Sequence, residues 1–185
     1  MERRDSQDRS NAIEQALKKT EDLMTQATFD RLEQELAQER KRLIEVRRER
    51  VPVHEDYRDQ AAASLSLRDL YETTANVSKL ENILKNARLL NPRQQTDRVK
   101  LGNTVVIKYE GEETMEDYHM LGKYDGGILR AIHLGQPLAN AIYGRQAGET
   151  VTFTAGNKRE INVDIMKILP GQFEPPRDPA QRKSS

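Results

Sequence analysis

Two aspartates, Asp56 and Asp59, lie in a short polar stretch that follows Pro52 and separates two long runs with helical spacing. If the two runs pack antiparallel, this stretch forms the turn at their far end, near residues 52–60. Hard cations such as Mg2+ prefer carboxylate oxygens, so acids held at such a tip are suited to supply ligands to a metal in another molecule. The alternative interpretation is that both aspartates are ordinary solvated loop residues.

A basic segment precedes this tip. Between residues 40 and 50 there are six basic residues and two acidic ones, a local charge of +4. The basic residues are Arg40, Lys41, Arg42, Arg47, Arg48 and Arg50. Clusters of Lys and Arg neutralise phosphates, so one interpretation is a strip that contacts RNA. The other is a solvated helix face with no partner.

The two runs that must position these residues each carry a narrow apolar stripe. Neither stripe is wide enough to cover a core, so pairing between the runs is the economical arrangement. We therefore predict an antiparallel coiled-coil hairpin over residues 28–90, with Thr28 as a plausible cap of its first helix. The stripe positions are Leu32, Leu36, Leu43 and Val46 in the first run, and Leu70, Val77, Leu80, Leu84 and Ala87 in the second.

The flanking segments differ from the hairpin in pattern. Residues 1–27 form a polar extension with a predicted helix over 11–26, and residues 91–100, which contain Pro92, form a linker. In residues 101–169 the apolar spacing changes to that of strands, with a short helix beginning at Pro137. The prediction is an α+β fold, in which a small antiparallel sheet with one short helix follows the hairpin. Residues 170–185 are predicted to be disordered.

Composition limits the classes of partner. The 185 residues contain 30 Lys+Arg and 30 Asp+Glu, so the formal net charge is zero and any nucleic-acid contact must be local. There is no cysteine, which excludes disulfides and thiolate metal sites. No apolar run is long enough to cross a bilayer, so we expect a soluble cytoplasmic protein without a membrane partner.

Three stretches resemble the bacterial Gre transcript-cleavage factors, GreA and GreB. Leu32-Glu33-Gln34-Glu35-Leu36 is similar to the family's Leu-x-x-Glu-Leu. The tip, residues 54–61, is similar to His-Gly-Asp-Leu-x-Glu-Asn-Ala. The third stretch, residues 136–149, is similar to Ser-Pro-Leu-Ala-x-Ala-Leu-x-Gly-Lys-x-x-Gly-Asp. The resemblance covers about residues 28–169 and leaves out the first helix and the tail.

The resemblance implies a fold and a function. Gre factors have a coiled-coil hairpin followed by an FKBP-like domain, which docks on RNA polymerase at its secondary channel. The tip acids, by position Asp56 and Asp59, share a Mg2+ with the polymerase, which then hydrolyses the 3' end of backtracked RNA. The chain would thus bind no cofactor alone and would not itself be an enzyme. Pro137, Gly144 and Arg145 take the docking positions.

The tip departs from the family pattern at one of its two acids. Asp59 stands where the family has Glu, which shortens the reach of the carboxylate by about 1.5 Å, one carbon–carbon bond. An alternative function is therefore a secondary-channel binder that inhibits or modulates the polymerase without promoting cleavage. A third is an FKBP-type isomerase or a coiled-coil adaptor.

Overall fold

Two compact units make up the chain. The computed structural model describes residues 11, 13–48, 57–93, 96–156 and 158–174, with residues 57–62 as backbone only. The helical unit is Phe29–Ala87, and the sheet unit combines the residues up to Thr28 with those from Arg88 onward. The sheet unit is therefore built from two separate parts of the sequence.

The helical unit contains most of two long helices, α2 (Gln26–Arg48) and α3 (Tyr57–Asn86). A guanidinium nitrogen of Arg40 lies 2.7 Å from a carboxylate oxygen of Glu81, and both residues lie well inside their helices. Because only residues 49–56 connect the helices, this contact requires α3 to return beside α2. The buried apolar residues of the unit are Leu32, Leu36, Ala63, Val77 and Leu80.

The start of α2 differs from the prediction. The helix begins at Gln26, and the hydroxyl that accepts a hydrogen bond in its first turn belongs to Thr25, not Thr28. The Thr28 amide is the donor of that bond, at 3.3 Å from the Thr25 Oγ1. Thr25 therefore acts in the manner of a helix cap.

The sheet unit holds a five-stranded sheet with the order β5-β4-β3-β7-β6. Its strands are β3 (Thr104–Tyr109), β4 (Met115–Leu121), β5 (Ala131–His133), β6 (Thr150–Thr154) and β7 (Glu160–Leu169). β-Branched residues in β3, Val105 and Ile107, are fully buried at the centre of the sheet. The short helix α4 (Pro137–Ile142) packs over β6 and buries Leu138, Ala139 and Ile142.

The prediction of a wholly antiparallel sheet is wrong at one edge. β5 runs parallel to β4, with Met120 opposite Ile132. The chain leaves β4 through the 3-10 turn Lys123–Asp125 and the glycines that follow it. It then returns to the level at which the paired part of β4 begins, so β5 runs in the same direction as β4. The other strand pairs, β3–β4, β3–β7 and β6–β7, are antiparallel.

The N-terminal segment packs in the sheet unit. Its helix, α1, includes residue 11 and residues 13–20. It ends before the predicted end at residue 26, because the chain turns at Glu21 and continues as a two-residue strand, β1 (Leu23–Met24). β1 pairs in parallel with β2 (Arg88–Leu89). Ala16, Leu17 and Leu23 pack against the core of the sheet unit. The extension is therefore part of this unit's fold.

The predicted linker also contributes to this core. Val99 is buried in it, together with Leu90 from the end of the predicted hairpin, and the Val99 amide donates a hydrogen bond to the Arg145 carbonyl at 2.8 Å. Among the helices in the described part of the chain, none combines the length and apolar character that a bilayer crossing requires.

Candidate functional site

The predicted tip falls at the edge of what the structure describes. Asp56 lies outside the described residues. Asp59 lies in the first turns of α3, where the description is of backbone only. The proposal that these two acids act together therefore remains a prediction from sequence and from the family resemblance.

The basic strip lies on the exposed surface of α2, apart from Arg50, which lies outside the described residues. At 100° per residue, Arg40, Lys41, Arg47 and Arg48 fall within a sector of about 120°, and Arg42 points elsewhere. Arg40 pairs with Glu81, and Arg42 lies 4.0 Å from Glu39. In the described part of the chain, Lys41, Arg47 and Arg48 form no ion pair, so their charges remain available to a partner.

The predicted docking residues lie at the two ends of α4. Pro137 occupies the first turn, where its missing amide proton costs no hydrogen bond, and it is exposed. Gly144 and Arg145 follow the last turn. Gly144 has a φ of +75°, a left-handed conformation that favours glycine, and its amide donates to the Val99 carbonyl at 2.9 Å. α4 thus separates Pro137 from the other two by about 9 Å.

Arg145 is held by a neighbouring carboxylate. Its guanidinium lies 2.9 Å from Glu149 Oε2, while Glu149 Oε1 accepts a hydrogen bond from the Gln146 amide at 2.8 Å. That amide, together with the Arg145 charge, holds the pKa of the Glu149 carboxyl below its ordinary value. Arg145 Nε is buried and has no hydrogen-bond partner among the described residues. The arrangement fixes the direction of this cation at the surface.

A buried aspartate, which the sequence reasoning missed, lies at the start of α2. Asp125 is fully buried, and its carboxylate accepts hydrogen bonds from the Thr25 hydroxyl at 2.7 Å, the Thr25 amide at 3.0 Å and the Gly122 amide at 2.9 Å. In the sequence it lies within Lys-Tyr-Asp-Gly-Gly, a pattern typical of an ordinary polar turn. Only its distant partner, Thr25, distinguishes it.

Comparison with known proteins finds a family to which the sheet unit is similar. The family model described as transcription elongation factor GreA/GreB, C-terminal, matches residues 94–170, which include β3 to β7 and α4. The sheet unit is therefore similar to the C-terminal part of the GreA/GreB family.

Curated relatives extend the similarity of this chain beyond the sheet unit. Transcription elongation factor GreA of Staphylococcus saprophyticus is 28% identical over 159 residues, which cover 78% of this chain and 94% of the relative. GreA of Leuconostoc mesenteroides is 32% identical over 94 residues, which cover 50% of this chain and 59% of the relative. This match and the one to GreA of Acholeplasma laidlawii thus span about three fifths of those relatives, 59% and 60%.

A solved structure is also similar in part. Gfh1 of Thermus aquaticus is 19% identical, with coverage of 80% of this chain and 97% of that chain, and superposes with a TM-score of 0.36. At that score the resemblance carries no weight for fold or function.

Proposed function

We propose that this chain is a Gre-like factor, which binds bacterial RNA polymerase at the secondary channel and stimulates the polymerase's own cleavage of backtracked RNA. The observation that carries the proposal is the combination, in one chain, of a sheet unit matching the GreA/GreB C-terminal family and two long helices joined by an acidic segment. The polymerase performs the hydrolysis, so the factor is not itself the enzyme. This function implies a cytoplasmic location, where the polymerase works.

The helical unit has the dimensions that the proposal needs. α2 has 23 residues and α3 has 30, so they are about 35 Å and about 45 Å long. The Arg40–Glu81 contact and the buried Leu36, Val77 and Leu80 support a coiled-coil hairpin. We interpret the sheet unit as FKBP-like, with α4 packed on the sheet. A hairpin of this length is able to reach an active centre inside a channel.

The tip supplies carboxylates to a metal site that belongs to the polymerase. Two carboxylates are a donor set that Mg2+ accepts. In the proposal Asp56 and Asp59 hold this ion only in the complex, and the factor alone binds no cofactor. When bound there, Mg2+ supplies activation of a water and stabilisation of the leaving oxygen. The factor's own contribution is to bring negative oxygen ligands to the site.

The remaining predicted residues position the factor. In the proposal, exposed Pro137 and the Gly144–Arg145 corner contact the polymerase at the rim of the channel. The basic strip on α2 contacts phosphates near the 3' end of the nascent RNA, because Lys41, Arg47 and Arg48 are exposed and form no ion pair in the described part of the chain. Docking and strip together would determine how far the tip enters.

The proposal is tested with backtracked elongation complexes in Mg2+, with and without the wild-type protein. We expect short 3' RNA fragments to be released at least about tenfold faster with the protein, a gain typical of added metal and acid–base assistance. If the protein binds the complexes but leaves release unchanged or slows it, the alternative function as an inhibitor or modulator replaces this one. If it does not bind polymerase, both are wrong.

A further inference from the structure

The five-stranded sheet has two edges that differ in length. One edge is β5, which has only three residues, and the other is β6, which has five. β6 pairs with β7 in unbroken register from Thr150 to Thr154, whereas an irregularity interrupts the pairing between β3 and β7. Within the described part of the chain, β6 is therefore a regular strand that is paired on one side only.

The backbone hydrogen bonds show which groups of β6 face its open side. The Ile165 amide in β7 donates to the Glu149 carbonyl at 2.9 Å. At the other end of β6, the Ala155 amide donates to the Arg159 carbonyl at 2.8 Å. Glu149 and Ala155 thus direct backbone groups at the β7 side, as do the odd-numbered residues between them. The amide and carbonyl groups of the even-numbered residues, all threonines, therefore face away from β7.

β6 lacks the features that usually prevent an edge strand from pairing. Its sequence, Thr-Val-Thr-Phe-Thr, contains no charged residue and no proline. The Thr150 hydroxyl donates to Asp164 Oδ1 at 2.6 Å, so it is already used by β7. The ring of Phe153 is only half-buried. The edge thus presents outward backbone donors and acceptors beside an aromatic ring that is incompletely covered.

The sequence of β6 is suited to pairing with itself. In an antiparallel pair of two copies centred on Thr152, threonine lies opposite threonine at three positions. Val151 of each copy then lies opposite Phe153 of the other, and pairs of a β-branched and an aromatic residue stabilise adjacent strands. Just outside the strand, Glu149 lies opposite Ala155 of the second copy. No two like charges are therefore directly opposite each other along this pair.

We propose that two copies of this chain associate through their β6 strands, which joins the two sheets into one continuous antiparallel sheet. The pair is two-fold symmetric, because each strand offers the same residues to the other. The outward amide and carbonyl of Thr152 bond to the same groups in the second copy. Contact between two strands of five residues buries less than the about 1,200 Å² of a standard interface, so the dimer is weak and reversible.

The first test is sedimentation equilibrium of the full-length chain over a range of protein concentrations. We expect the weight-average mass to rise from the monomer value towards twice that value. Thr152→Pro removes an outward amide that β7 does not use, and it should weaken association at least about tenfold, because the symmetric pair loses two hydrogen bonds. Thr152→Val also removes the hydroxyl but keeps the amide, so this matched control should associate as the wild type does. Circular dichroism establishes that each variant is folded.

The second test is disulfide cross-linking, which is selective because the chain has no cysteine. In the proposed pair, the Cα atoms of residue 152 in the two copies are about 5.5 Å apart, within the range of a disulfide. Those of residue 154 are about 14 Å apart, because each lies opposite Thr150, four residues along the strand. Mild oxidation should therefore cross-link Thr152→Cys and leave Thr154→Cys, the matched control, as monomers. A mixture of Thr150→Cys and Thr154→Cys should cross-link.

The two tests can each overturn the proposal. A wild-type mass that stays at the monomer value at every concentration would do so, as would association of folded Thr152→Pro as tight as that of the wild type. Cross-linking of Thr154→Cys as fast as that of Thr152→Cys would show that the copies meet through another surface. If Thr152→Pro does not fold, the cross-linking pattern decides. None of these results depends on RNA polymerase, so the proposed function can fail without affecting this inference.

Discussion

Addition of a single methyl group at Gly122 should destabilise the fold. Its φ of −78° is open to any residue, but a Cβ there would meet the Leu23 carbonyl oxygen at 1.7 Å and its carbon at 2.7 Å. Because both atoms are backbone, relief requires β1 to move. We expect Gly122→Ala to lower the free energy of unfolding by about 2 kcal/mol or more.

The matched control for this substitution is Gly126→Ala. Gly126 has a helical φ of −60°, and an added Cβ there meets nothing within 4 Å. Urea denaturation of both variants should show a lower midpoint only for Gly122→Ala. Equal midpoints for the two variants would mean that β1 does not lie against this turn as described.

Glu149 should make stability depend on pH in the acid range. Its pKa is lowered from the ordinary 4.5, first by the Gln146 amide and also by Arg145. A carboxyl group whose pKa is lower in the folded state than in the unfolded state stabilises the fold at pH values above its unfolded-state pKa. That stabilisation is lost as the pH falls through the folded-state pKa. Glu149→Gln should therefore be less stable than wild type at pH 7, with a difference that shrinks below pH 4.5.

The measurement is thermal unfolding of wild type and Glu149→Gln from pH 7 to pH 3. Glu160→Gln, at an exposed position in β7, serves as the control and should show no comparable trend. If Glu149→Gln were less stable than wild type by the same amount over this whole range, the ion pair and the amide hydrogen bond of Glu149 would not be the cause. That result would point instead to an effect of the neutral amide group that does not depend on the charge of Glu149.

A single residue could be recognised from the sequence when the residues that determine its role are close to it in the sequence. Pro137 and Gly144 were recognised because the rules for helix ends involve only adjacent residues. Asp125 was missed because its partner Thr25 is 100 residues away, and nothing in Lys-Tyr-Asp-Gly-Gly distinguishes a buried carboxylate from a solvated one. The joint action of Asp56 and Asp59 stays a prediction.

At the scale of elements, the basic strip on α2 is open to a direct test. Double charge reversal, Lys41→Glu with Arg48→Glu, should weaken binding to backtracked complexes more than binding to polymerase without nucleic acid. Each lost phosphate contact should reduce the slope of log affinity against log salt by about 1. The measurement is a titration of affinity against salt concentration for both partners.

The control for the strip is Lys79→Glu, which reverses an exposed charge on α3. It should change the salt slope for the two partners to the same small extent. If the double variant behaves like this control, the strip is a solvated helix face and does not contact RNA.

The elements that sequence predicted well are those with strong periodicity. Val105, Val106 and Ile107 marked β3, and the apolar stripes marked α2 and α3. β5 was missed as a strand because it has only three residues, and its pairing with β4 is parallel. The two-residue strands β1 and β2 carry no periodic signal, since their pairing depends on backbone bonds between distant segments.

At the scale of the whole molecule, the chain order differs from the division into units. A helical run followed by strands is visible in the sequence, and it predicts two units in that order. The structure instead places residues up to Thr28 in the sheet unit, with Leu17 and Leu23 against its core. The pattern of an amphipathic segment indicates that its apolar face will be buried, but not which other segment will bury it. The sequence alone therefore could not assign the residues up to Thr28 to the sheet unit.

The division gives each unit a separate part in the proposed function. The sheet unit, which is similar to the GreA/GreB C-terminal family, carries the predicted docking residues. The helical unit carries the basic strip and leads to the predicted tip. Loss of the tip acids should therefore reduce the rate of RNA cleavage without changing how tightly the factor binds.

In the proposed function, carboxylates at the tip act in the catalytic centre of the polymerase. The most direct measurement is the rate of 3' fragment release from backtracked complexes, at saturating protein and over a range of Mg2+ concentrations. The comparison is between wild type, Asp56→Asn, Asp59→Asn and Asp59→Glu. We expect both asparagine variants to release fragments at least about tenfold more slowly at unchanged binding, and Asp59→Glu to be no slower than wild type. An asparagine variant at either position that cleaves as fast as wild type would show that this carboxylate does not act at the metal site.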